Sequence, residues 1–275
     1  MAKTSRALPR IPGASGTPAP GGKHAGSGAT IAIYSVKGGV GKTTLAANLA
    51  WNAAVTSGRR TLLWDLDAAS GAGFLLGVEP AAEAIADKIF SRERDPARLI
   101  RPTVYPRLDI LPADESLRAL EAQFLHIGKR RRLARLTESL GHDYERILLD
   151  CPPVLNEVSA QVLRAADLVI VPLPPSPLSA RALDLVVRQV AADGKHHPPI
   201  LPVHSMLDMR RALHRQAREA NPDWPAIPYA SAVEQCAVRQ CPVGAFAPTS
   251  PAALAFAKLW QAIEHRLAKV RAQAD

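Results

Sequence analysis

Long apolar runs are missing from this 275-residue chain, and no stretch of about 18 apolar residues exists to cross a bilayer. Cysteine is scarce: Cys151, Cys236 and Cys241 form no C-x-x-C pair, which argues against a zinc ribbon or a disulfide scaffold. The basic N-terminus lacks the apolar segment of a secretory signal, so a reducing cytoplasm is the expected location. Aromatic residues make up only 5% and are not interleaved with the basic clusters, which disfavours stacking on single-stranded nucleic acid. No internal repeat and no separate helix-turn-helix unit is apparent.

Acid is wholly absent from residues 1–29, which carry Lys3, Arg6, Arg10 and Lys23 together with four prolines and six glycines. Such a mixture cannot bury enough apolar area to offset its ordering, so a disordered basic tail is expected there, with one folded domain over 30–275. The tail supplies +4 of the net +9, leaving a modest basic excess for the folded part. The sign of that excess favours polyanionic partners, DNA or an anionic membrane surface, without choosing between them.

From Thr30 a β-rich run, Ile-Ala-Ile-Tyr-Ser-Val, leads into a glycine-rich turn and an Ala/Leu-rich stretch from Lys42 to about Val55. Further strand-like runs stand at Thr61–Asp65, Leu108–Leu111, Arg146–Asp150, Leu168–Pro172 and Ile200–Met206. Helical patterns cover Glu115–Gln123, Gly128–Leu140, Glu157–Ala166, Ser179–Ala192, Met209–Ala220 and Ser250–Ala272. Strands alternating with helices predict a single doubly wound, mostly parallel α/β sheet with helices on both faces.

The turn reads Lys37-Gly38-Gly39-Val40-Gly41-Lys42-Thr43-Thr44. Val36 occupies the place where G-x-x-x-x-G-K-[ST] asks for its first glycine, yet the strand–loop–helix context is that of a phosphate site. Glycines let several N–H groups turn inward, and the helix that follows adds its positive end. Lys42 can then reach β and γ phosphates, and the Thr43 hydroxyl can ligate Mg²⁺.

This loop resembles the deviant Walker A motif of the ParA/MinD superfamily of P-loop ATPases. Asp65-Leu66-Asp67 is similar to that family's switch I, and Arg146–Pro153 to its Walker B strand and switch II turn. The resemblance implies a P-loop NTPase fold, ATP and Mg²⁺ as cofactors, and slow, partner-stimulated ATP hydrolysis. Lys37 would reach across an ATP-bound homodimer to the partner's phosphates, and Lys42 and Thr44 would hold phosphates in cis. Asp67 would orient the attacking water, Asp65 would support the switch or the metal shell, and Thr43, Asp67 and Asp150 would hold the metal. The family commonly continues switch I with Pro-Gln-Gly, whereas this chain has Ala68-Ala69-Ser70-Gly71, a change that bears on hydrolysis rather than binding. Ile227-Pro228-Tyr229 resembles the segment near the adenine, with Pro228 as the neighbour of the base.

Two basic clusters stand out, Lys129–Arg132 with Arg135, and Arg210, Arg211, Arg215 and Arg218. In a helix Arg211, Arg215 and Arg218 share one face, suited to duplex phosphates. The resemblance favours this second cluster as a nonspecific double-stranded DNA surface, with a ParB-like activating partner and, if DNA is bound, a nucleoid location. Two alternatives stay open: a MinD-like membrane-associated ATPase, and a nucleotide-binding regulator with little hydrolysis. The C-terminal stripe Phe256, Leu259, Trp260, Ile263 and Leu267 would serve a membrane, but its period also suits docking on the protein's own core.

Overall fold

A computed structural model describes residues 28–78, 96–113, 131–192 and 197–273. The expected tail (apart from Gly28 and Ala29), the expected helix Glu115–Gln123, and Lys129 and Arg130 of the first basic cluster lie outside the described residues.

Among the described residues eight strands form one sheet: β1 (Ala29–Ile33), β2 (Thr61–Asp65), β3 (Arg101–Pro102), β4 (Leu108–Leu111), β5 (Arg146–Asp150), β6 (Leu168–Leu173), β7 (Ile200–Leu207) and β8 (Ala226–Pro228). Their order is β3-β4-β2-β5-β1-β6-β7-β8, and every pairing is parallel except β3 with β4. The central strands read as continuous apolar runs because both sheet faces are covered. Ile31, Ile33, Leu63 and Leu148 point into one core with α1 (Lys42–Trp51), α2 (Gly71–Leu75), α7 (Ser231–Arg239), α8 (Val243–Phe246) and α9 (Pro251–Ala272). Ala32, Leu62, Trp64 and Leu149 point into the other with α3 (Arg132–Leu140), α4 (Glu157–Ala165) and α5 (Pro177–Ala192). The remaining helix, α6 (Ala212–Ala220), follows β7. This is the expected doubly wound α/β fold.

Several boundaries differ for local reasons. The stretch expected to be one helix from Lys42 to Val55 changes to a π-helical turn over Asn52–Thr56, where the Asn52 side chain donates to the Asn48 carbonyl. Helix α6 begins at Ala212 rather than Met209, because the Asp208 carboxylate accepts from the Arg210 N–H and bends the chain first. Helix α5 begins earlier, with Pro177 in its first turn and the Ser176 hydroxyl accepting from Ser179 N–H. Helix α7 meets the core through the buried Cys236 and the half-buried Ala232 and Val233, a stripe too short to stand out in the sequence. The stripe of α9 is buried against the core, Trp260 donating to Ser57 Oγ at 2.9 Å, so the docked reading of that stripe holds.

Candidate functional site

Register sets the site. Asp150 pairs with Ile33 of β1 and with Asp65 of β2, so both acids stand level with the end of β1 at the carboxyl edge of the sheet, where open α/β sheets bind ligands. The chain leaves β1 through Ser35 and Val36 into a loop whose tip is exposed: an added Cβ on Gly38 or Gly39 would meet nothing within 4 Å. Gly39 and Gly41 take φ of +69° and +88°, angles costly to any residue with a Cβ. Val40 between them is buried and pins the loop to the core. Lys42 is only 7% exposed, and its ammonium donates to the Lys37 carbonyl at 3.4 Å, held within the loop rather than in solvent. Burial pulls its pKa down, while Asp150 and Asp67 oppose that shift. Lys37 is half-buried, its N–H donating to Ser35 Oγ, and Thr43 and Thr44 are half-buried in the first turn of α1.

Three carboxylates face this loop with different environments. Asp65 is buried but satisfied, accepting from Asp67 N–H and Ala72 N–H, each at 3.0 Å. It thereby caps α2 from the neighbouring strand and shapes the switch loop; burial still raises it to about 7. Asp67 is half-buried and accepts from Ala69 N–H at 3.1 Å. Asp150 is fully buried with no hydrogen-bond partner on either oxygen. Burial drives its pKa well up, Asp65 and Asp67 push it further, and the Thr43 hydroxyl and Lys42 moderate the rise without a bond of hydrogen-bonding geometry. An interior carboxylate with both oxygens unsatisfied is costly unless something pairs with it. A divalent cation, shared with the Thr43 hydroxyl and reached by Asp67, suits that oxygen-donor set. Residues and cradle therefore fit both a nucleotide phosphate chain and Mg²⁺.

Several neighbours carry no motif. Gly71 opens α2 against Thr43, where an added Cβ would lie 3.0 Å from the threonine methyl. Ser70 before it has φ +53°, left-handed where the related motif has glycine, and its hydroxyl donates to the Ala113 carbonyl. Tyr34, the residue after β1, donates its hydroxyl at 2.7 Å to the Val154 carbonyl in the turn after Asp150. Met206, also left-handed at φ +51°, sits at the irregularity of β7, its methyl 3.4 Å from where a Gly41 Cβ would be. None of these contacts has a sequence signal, because each joins segments far apart in the chain.

Pro228 ends β8, three strands from β1, and the next residue, Tyr229, donates from its N–H to the Leu207 carbonyl and from its hydroxyl to Glu234. The three arginines expected to share a DNA-binding face, Arg211, Arg215 and Arg218, are not equivalent. Arg211 is exposed and pairs with Asp208 at 3.4 Å. Arg215 is exposed, its guanidinium donating to the carbonyls of Met209 and Arg210. Arg218 is half-buried and donates to the Trp224 carbonyl, a brace between α6 and the chain leading to β8.

A family model described as an AAA domain matches residues 28–197. The sporulation initiation inhibitor protein Soj of Bacillus subtilis is 33% identical over 198 residues, covering 70% of this chain and 78% of Soj. The chromosome partitioning protein ParA of Caulobacter vibrioides is 31% identical over 194 residues, covering 68% of this chain and 72% of its own. Among solved structures, an aspartate-to-alanine variant of Cyanothece McdA in complex with ATP superposes with a TM-score of 0.75 over 89% of this chain and 98% of McdA; at 19% identity this shows the fold alone.

Proposed function

The chain belongs to the ParA/MinD superfamily of P-loop ATPases, and from that premise we propose that it is an ATP-dependent dimerisation switch that binds nonspecific duplex DNA and positions or segregates a cargo. The observation that carries this reading is Asp150, fully buried with two unpartnered oxygens beside Lys42 and Thr43, an arrangement that makes sense around a metal-bound polyphosphate. Bound ATP and Mg²⁺ supply the γ-phosphoryl group and a counter-charge for it. Backbone N–H groups from Gly38 to Thr43 hold the phosphates, the Lys42 ammonium neutralises the β and γ positions, and Thr44 contacts the α position. Thr43, Asp150 and Asp67 would hold the metal, which would supply counter-charge to the phosphates there. Asp67 orients the attacking water.

Lys37 completes the arrangement in trans. A lysine that meets phosphate only in a homodimer makes association depend on the nucleotide. Duplex DNA is bound through Arg211 and Arg215, which are exposed, with Arg218 adding its charge from a braced position. Pro228 flanks the base. Hydrolysis, stimulated by a ParB-like partner, releases the dimer from DNA. A second reading rests on the switch loop: Asp67 accepts from Ala69 N–H, and Ala69 brings no side-chain amide to the γ-phosphate, as would suit a regulator that binds ATP and rarely hydrolyses it. The membrane alternative loses its main feature, since the apolar stripe of α9 is occupied by the core.

The test is binding to a long, sequence-neutral duplex with ATP, ADP or no nucleotide, with mass measured in parallel, for wild type and Asp67→Ala. Dimers and DNA binding that require ATP and persist in Asp67→Ala are expected. ATP-driven dimers that ignore DNA at low salt would remove the DNA part of the reading.

A further inference from the structure

Helix α7 ends in a way that brings two thiols together. Gln240 is left-handed at φ +49°, and the Cys241 N–H donates across it to the Cys236 carbonyl at 3.2 Å, the six-to-one bond of a Schellman cap. In that cap the third helical residue from the end and the second residue beyond it frequently pack side chain on side chain, and here both are cysteine. The short backbone bond also holds their Cα atoms near the span a disulfide bridges, roughly 4.4–6.8 Å. The Cys241 sulfur is near enough to raise the Cys236 thiol, and both raise the Tyr105 phenol, as expected of neighbouring side chains. Cys236 is buried and Cys241 half-buried, and both are free thiols.

We propose that Cys236 and Cys241 are a reversible redox pair, a modification site that closes to an intramolecular disulfide when the chain meets a low-molecular-weight disulfide. The more accessible Cys241, as thiolate, attacks one sulfur of the small disulfide and expels one small thiol. Cys236, having lost its proton, then attacks the Cys241 sulfur of the mixed disulfide and expels the second. The protein loses two thiol protons and two electrons, and the small disulfide is reduced to two thiols. Burial raises both thiols, with Arg239 opposing this at Cys241, so the attacking thiolate is a minor species near neutral pH and closure quickens as pH rises.

The pair is wired to the loop. Asn48 Nδ2 donates to the Thr44 carbonyl at 2.8 Å and points to Cys236 Sγ at 3.8 Å, while its Oδ1 accepts from Val243 N–H at 2.8 Å. Turning Cys236 towards Cys241 takes its sulfur from Asn48, whose carbonyl partner belongs to the phosphate-loop helix. This consequence for nucleotide binding rests on the proposed function above; disulfide formation does not.

Full-length protein is treated with oxidised glutathione, alkylated and digested with trypsin, and an ATP analogue is titrated in parallel. Arg239 lies between the two cysteines, so cleavage there puts them on separate peptides and only a disulfide links them. The expected result is the linked peptide pair, reversed by dithiothreitol and absent in Cys241→Ser, with a several-fold loss of nucleotide affinity in wild type alone. Glutathione retained on Cys241 with Cys236 still alkylatable, or both thiols unmodified, overturns the pair. A linked pair with unchanged affinity keeps the disulfide and overturns the coupling. Cys236→Ala, which leaves no resolving thiol, should retain glutathione on Cys241; a disulfide to Cys151 instead would overturn the assignment.

Discussion

Gly71 stands close against Thr43: a Cβ there would lie 3.0 Å from Thr43 Cγ2 and 3.7 Å from Thr43 Oγ1, so the threonine would have to give way. The switch loop and the phosphate loop thus approach each other at the threonine whose hydroxyl is proposed to hold the metal. Gly71→Ala is expected to push Thr43 aside and weaken Mg²⁺-dependent nucleotide binding about tenfold, ~1.4 kcal/mol, with a smaller effect in EDTA. Titrating a fluorescent ATP analogue with and without Mg²⁺ decides; equal loss in both conditions would mean general damage to the loop.

Asp150 carries the clearest separation of stability from function. With both oxygens buried and unpaired, it burdens the ligand-free fold, and Asp150→Asn is expected to stabilise that form by about 1 kcal/mol or more. The same change should abolish the extra stabilisation that Mg²⁺ adds to ATP. Thermal melts of both proteins, alone and with ATP in Mg²⁺ or EDTA, test this. A variant that is less stable without ligand, or that keeps the Mg²⁺ increment, contradicts the assignment.

The fold and the placing of the candidate site were legible because their signals are local. Strand runs such as Arg146–Asp150 are apolar on both faces, and the glycine-rich loop sits between a strand and a helix, so the end of β1 and the two acids beside it follow from spacing and parallel order. Illegible features depend on contacts between distant segments. Helix α2, Gly-Ala-Gly-Phe-Leu, has poor intrinsic propensity and exists because Asp65, in the preceding strand, caps it through Ala72 N–H. The two-residue β3 exists through its pairing with β4. Arg218 is on the expected face of α6, yet the carbonyl of Trp224 takes its guanidinium, which no helical period can foretell.

Two histidines give the protein an acid-sensitive corner. His204 is buried, its Nε2 facing the Asn221 carbonyl and its ring tilted on Trp224; burial lowers its pKa from the ordinary 6.5, and Arg218 and His214 lower it further. His214 accepts from Asp208 N–H through Nδ1, and burial and Arg211 lower it too. A depressed folded pKa means the unfolded chain binds more protons, so this stabilisation is complete above pH 6.5 and is lost as pH falls towards the folded values. Melting temperatures between about pH 7.5 and about pH 5 should fall less steeply for His204→Gln than for wild type. Parallel curves would show that His204 does not contribute.

The last helix is tied down by a charge pair that crosses from the sheet. Arg146 at the start of β5 is 8% exposed at its side chain, and its Nε and Nη2 both donate to the Glu264 carboxylate of α9 at 2.7 Å. Removing the acid leaves a buried guanidinium with only the Glu145 carbonyl, which Nη1 already meets at 2.6 Å. Breaking such a pair by removing one partner costs more than the pair itself contributes, and since Glu264 is a quarter exposed the expected loss is about 2–3 kcal/mol. Glu264→Ala should therefore lower the melting temperature by roughly 5 °C or more. Because α9 buries its apolar stripe through the same docking, the variant should also bind anionic vesicles more than wild type when partly unfolded by heat, and not at lower temperature. Vesicle binding by wild type in its folded, ATP-bound state would mean instead that α9 undocks as part of the cycle, and would return the membrane reading to consideration.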